Sequence, residues 1–291
     1  MTGLVFAAVA PHGYLAVDEA VPEAEQHLGQ STRAAMAELG RRFCAAAPDT
    51  VILLTPHHLH VEGAFAVIQS GWLAGNLDDW TSRPVSLRVP VDREVSRTLL
   101  EALRSDGVSA VGVSYGGNDP AGATAPLDWG SLIPLWFMGG RSDPQVPVVL
   151  VCPARDLPVE DHLRVGAAIA QTAASSGKRV ALIASADHGH GHLASGPYGL
   201  TPESALYDRQ VMSLIESGNL AGLLNLPGQL VSAALADSYW QLLMLHGALS
   251  ATGQNWEPEL LCYEVPTYFG MACASFQAAQ HSSSPVAATG E

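Results

Sequence analysis

Cations are scarce in this chain. Fourteen lysines and arginines stand against 28 aspartates and glutamates, a formal net charge of −14 over 291 residues. A surface of that sign repels polyphosphate backbones and anionic bilayers, which argues against nucleic acid or an acidic membrane as the main partner. Charged residues of both signs amount to only 14% of the chain, whereas hydrophobic residues reach 48%, enough apolar material for a sizeable core. Cysteine is sparse as well. Cys44, Cys152, Cys262 and Cys273 show none of the close spacings of a zinc knuckle or a redox pair. Each sits among apolar residues, so all four are expected as reduced core thiols, which fits a cytoplasmic protein. No apolar run approaches the ~20 residues that span a bilayer. The opening LVFAAVA has no basic flank and meets His12 at once, so it reads as a strand rather than a signal peptide. There is no internal repeat.

What is present is an alternation of short apolar runs with helical patterns. Strands are expected at 4–10, 50–54, 64–69, 108–113, 146–151, 179–184 and 260–265. Several are unbroken Val/Ile/Leu/Ala runs, as in a sheet covered on both faces. Helices are expected at 31–47, 93–104, 159–176, 201–218 and 235–249; Thr201, Pro202 and Glu203 supply a cap, a first-turn proline and an acid in order. This alternation predicts one α/β domain over residues 1–277, with a mostly parallel or mixed central sheet flanked by helices and an active site at the strands' C-terminal ends. Stretches 71–84, with Trp72 and Trp80, and 115–126 are irregular and long enough to wall or cover a pocket. The tail 278–291 is polar and expected to be disordered.

The histidines are clustered. His12 follows the first strand in AVAPHG; His57, His58 and His60 follow the second in LLTPHHLH; His188, His190 and His192 follow a later one in ASADHGHGH. Three strand ends that each carry imidazole bring distant nitrogen ligands to one rim of the sheet. His60 and His192 are expected to be structural, and His27, His162, His246 and His281 to be ordinary surface or packing residues. Asp187, Asp119, Asp128 and Asp237 are the available carboxylates. Asp237 stands out because LVSAALADSYWQLLMLHGAL is otherwise suited to a buried helix, where a lone carboxylate is costly unless paired or bound to metal. Asp187 has a second reading, orienting a histidine through its other ring nitrogen. Two histidines and one carboxylate with open positions can hold non-haem iron or catalytic zinc, and spacing does not choose between them.

The ordered set PHG, TPHH, PLDWGSLIPLWFM, SADHGHGHLASGPYG, ALADSYW and YEVPTYFGMA resembles the LigB-type class III extradiol ring-cleavage dioxygenases and their Memo-like relatives, from about residue 7 to about residue 275. That resemblance implies metal ligands at His12, at His57 (with His58 the alternative) and at Asp237, and an acid/base at His190, in step with Pro197-Tyr198-Gly199. It implies Fe(II), with zinc or manganese as alternatives. The implied partners are a catecholic or aminophenolic aromatic and O₂, and a homo-oligomer or second subunit stays open. Two positions depart from the family pattern. Asp237 stands where the usual ligand is glutamate. Trp129 stands where many members carry a substrate-contacting histidine, and tryptophan can donate one N–H but cannot accept a proton. Trp129 and Tyr198 are expected to contact the substrate ring, with Trp72 and Trp80 as further walls. A zinc hydrolase on the same ligands and a Memo-like binding protein without turnover are the rival readings.

Overall fold

The computed structural model describes residues 2–78 and 83–279. Trp80 and the expected tail from residue 280 onward lie outside the described residues. The main sheet has eight strands: β1 (Gly3–Ala10), β2 (Thr50–Leu54), β3 (Phe65–Ile68), β6 (Ala110–Val113), β8 (Val148–Cys152), β9 (Arg179–Ser185), β10 (Trp256–Glu264) and β11 (Met271–Ala278). A three-stranded sheet is formed by β4 (Trp72–Asn76), β5 (Ser86–Pro90) and β7 (Thr124–Pro126). The helices are α1 (Gln30–Ala46), α2 (Arg93–Ser105), α3 (Trp129–Phe137), α4 (Val159–Ser175), α5 (Pro202–Glu216), α6 (Gly228–Ala233) and α7 (Tyr239–Ala251).

The large sheet runs β10-β11-β1-β9-β2-β8-β3-β6. Its centre, β1-β9-β2-β8, is parallel, and β3 and β11 join it antiparallel. Side chains alternate across the central strands and feed two cores. Leu4, Ala7 and Val9 of β1, with Ile52 and Leu54 of β2, pack toward α2, α4 and α7. Phe6, Ala8 and Ala10, with Val51 and Leu53, pack toward α1, α3 and the small sheet. A strand buried on both faces has no polar face to keep, which explains its continuous apolar run. Helices α4 and α7 meet backbone to backbone: a Cβ on Gly166 would sit 2.1 Å from the Met244 carbonyl oxygen, and one on Gly247 2.3 Å from that of Leu163. This contact seats α7 firmly on the sheet side that carries the site.

Three expectations need correction. Among the described residues, stretches 71–84 and 115–126 supply β4 and β7 of the small sheet and none lines the large cavity, and Trp72 lies under the Arg88 guanidinium, 3.7 Å from its ring centre. The helix expected at 235–249 starts only at Tyr239, because Leu235 adopts a left-handed φ of 55° that ends the preceding turn. Asp237 therefore lies in the connection before α7, not within it. Cys44 is exposed on the outer face of α1, while Cys152 and Cys273 are buried and all four thiols are free.

Candidate metal centre and its cavity

His12 follows β1, His57 follows β2, and Asp237 precedes α7 at the same rim. Their nearest donor atoms converge. The Nε2 atoms of His12 and His57 lie 3.0 Å apart, Asp237 Oδ2 lies 3.0 Å from His57 Nε2, and it lies 3.3 Å from His12 Nε2. These three residues form the group able to hold a metal ion among the described residues. At the ~2.1 Å usual for nitrogen and oxygen ligands, neighbouring corners of an octahedron are about 3.0 Å apart and those of a tetrahedron about 3.4 Å. The observed separations of 3.0 to 3.3 Å fall between the two, so all three donors can reach one ion.

Each donor is held in place. The Ser185 hydroxyl donates to the Gly130 carbonyl, so its oxygen accepts from His12 Nδ1–H at 2.9 Å. In the neutral ring this leaves the Nε2 lone pair for a metal, the usual division of labour in a ligating imidazole. Asp237 is 5% exposed and accepts the Asp187 N–H on Oδ1 at 3.1 Å, which turns Oδ2 toward the histidines. His57 is clamped by Trp129, whose ring stacks on it at 4.6 Å and 28°. Trp129 opens α3, and Asp128 fixes that start by accepting from Ser131 N–H and the Ser131 hydroxyl.

The neighbouring histidines turn elsewhere. His58 Nε2–H donates to the Pro126 carbonyl at 2.8 Å, so of the TPHH pair His57 is the one facing the cluster. His192 pairs with buried Asp208 at 2.8 Å, and His188 is buried against the Ser238 hydroxyl. Asp208 also accepts from Gly189 N–H and the Tyr263 hydroxyl, both at 2.7 Å, and so clamps the 187–192 loop. His190 lines the cavity and stacks on Phe269 at 5.3 Å and 19°. Its Nδ1–H donates to the His188 carbonyl at 2.7 Å, so the neutral ring presents an unprotonated Nε2.

Asp187 does not take the orienting role expected of it. It accepts the His12 backbone N–H at 3.1 Å and faces Nε2 at 3.2 Å, whereas Ser185 holds the other ring nitrogen. Asp119 is an exposed turn residue that caps Ala121 N–H. Burial disfavours a charged His12, but Asp187 and Asp237 outweigh it and raise the imidazole to about 9. Burial likewise pushes Asp237 up, and the His12 and His57 rings overcome this and hold it well below the usual carboxylate range.

The cluster opens into a cavity of about 630 Å³ lined by Tyr14, Glu25, Trp129, Tyr198, Thr267, Tyr268 and Phe269 besides the histidines. Tyr198 and Trp129 are exposed at its edge. The sequence reading missed Tyr14, Glu25 and Thr267, which come from two single-turn 3-10 helices and a loop, all too short to show periodicity. It missed Ser185 too, although that residue ends a strand directly before the histidine cluster. Among the described residues no helix is long and apolar enough to cross a membrane.

Comparison with known proteins adds to the geometry. Protein CA_C1420 of Clostridium acetobutylicum is 22% identical over 254 residues, 87% of this chain, and the chain spans about half (53%) of that relative's length. An uncharacterized protein, JW3007, from Escherichia coli K12 shares the fold with a TM-score of 0.57 at 17% identity, over 93% of this chain and 99% of that one. Residues 6–273, nearly the whole α/β unit and all the residues of the cluster, match the family described as the catalytic LigB subunit of aromatic ring-opening dioxygenase, and the chain belongs to that family.

Proposed function

We propose that this protein opens a catecholic or aminophenolic ring by extradiol cleavage with O₂, on Fe(II) held by His12, His57 and Asp237. The observation that carries this reading is the convergence of two imidazoles and one carboxylate in the same cavity as a histidine with a bare Nε2. His12, His57 and Asp237 would hold the metal, which when bound would supply a coordination point for the substrate and a path for electrons between ring and O₂. The protein's own work is the rest. The Trp129 and Phe269 faces flank the ring and fix its plane. His190 Nε2 takes the proton of a substrate hydroxyl and holds it for return later in the cycle. The test is oxygen uptake: anaerobically iron-loaded protein consumes about one O₂ per simple catechol and yields a ring-opened chromophore. A loaded protein that leaves a panel of catechols and aminophenols intact would point to the binding-protein alternative.

Metal uptake should depend on pH in a defined sense. His12 must be neutral to ligate, and in the metal-free protein it holds its proton up to about 9. Each bound ion therefore displaces a proton below that pH. Apparent metal affinity rises by up to about tenfold per pH unit toward pH 9 and levels off above it. Competition titrations against a chelator of known proton affinity measure this slope; an affinity flat from neutral pH to 9 contradicts it.

A further inference from the structure

The substrate's remaining substituent meets a cavity with a distinct charge. None of the 14 lysines and arginines lines it, and the residues outside the described ones contain neither type. Arg33, which contacts the loop carrying Glu25, spends its guanidinium on the carbonyls of Leu15, Gln26 and Leu28. The amide N–H of Ser131, at the start of α3, is taken by Asp128. His12 and His57 face the metal position, and His190 serves the reacting hydroxyl. Apart from Gly13, Pro22 and Thr267, what faces the rest of the cavity is acidic or aromatic. Glu25 lies on its wall, outside the ligand cluster, and accepts the Tyr14 hydroxyl at 2.5 Å. The Tyr198, Tyr268 and Phe269 rings stand edge to face, with centroids 6.0 and 4.9 Å apart.

We infer that the aromatic substrate carries a cationic ammonium substituent, received by Glu25 and the aromatic faces, rather than a carboxylate. The inference rests on the ring-cleavage reading and refines it. An ammonium placed there gains a carboxylate partner and the negative faces of the rings. A carboxylate would lose hydration, face Glu25 and Asp187, and find no cation in return.

The test compares three catechols that differ only at the substituent para to one hydroxyl: aminoethyl, ethyl and carboxyethyl. Binding to iron-loaded protein is measured without O₂, so that affinity is read apart from turnover. The aminoethyl compound binds about tenfold or more tighter than the carboxyethyl one, with the ethyl compound between them. The preference narrows with added salt, because Glu25 is only half-buried. Glu25→Gln, which keeps an acceptor for Tyr14, shrinks the ratio to about threefold or less; its metal content and melting temperature verify that it is folded. Equal or tighter binding of the carboxyethyl compound, or a ratio that Glu25→Gln leaves unchanged, overturns the inference and spares the ring-cleavage reading. If none of the three binds the loaded protein, the ring-cleavage reading falls and takes the inference with it.

Discussion

Asp237→Ala lowers divalent-metal affinity by more than about 10²-fold, beyond the 10–100-fold usual for losing a group that only supports a ligand. The carboxylate is the sole anion of the three-donor cluster, is 5% exposed, and has its second oxygen fixed by the Asp187 N–H. Without it, two imidazoles must hold a dication with no charge to balance it. Asp237→Asn separates this effect from misfolding, because the amide keeps the shape and the acceptor for Asp187 N–H but lacks the charge. Metal analysis after anaerobic loading, with the melting temperature measured in parallel, reads both variants. Full occupancy in each would remove Asp237 from the ligand set.

The second large effect lies at His190. His190→Ala keeps the metal and much of the substrate affinity while turnover falls by roughly 10²–10⁴-fold, the usual contribution of a positioned proton-transfer group. Its Nδ1–H is committed to the His188 carbonyl and the ring lies flat on Phe269, so one nitrogen alone is left to take a proton. Loss of metal, with turnover restored by excess Fe(II), would make His190 a ligand instead. Undiminished turnover would hand proton transfer to another group, and neither His188 nor His192 lines the cavity in its place.

Much of this was legible in the residues, for physical reasons that differ by element. β2 was read to its ends, Thr50–Leu54, because a strand buried on both faces shows as an unbroken apolar run bounded by polar turns. β11 escaped because MACASFQA is built from small residues that signal no period. α3 was visible only as a motif: Pro134 lies inside it and its mean character is apolar all round. The small sheet was hidden by turn formers, with Gly75 admitting the Leu127 carbonyl where a side chain would clash. At the site, strand ends announced the histidines. That His57 rather than His58 faces the cluster was not in the spacing, because His58 is held away by a carbonyl 68 residues distant at Pro126.

The cluster also has a consequence for how the molecule comes apart. Its donors are contributed by the first strand, the second strand and the approach to the last helix, so the partners are 45 and 180 residues apart along the chain. An unfolded chain holds no such site, and closing loops of that length is among the last entropic costs met during folding. An ion in this position behaves as a reversible cross-link formed after the sheet is assembled. Contacts made that late act on the escape from the native state rather than on its attainment, so occupancy would lengthen the lifetime of the folded protein far more than it hastens folding.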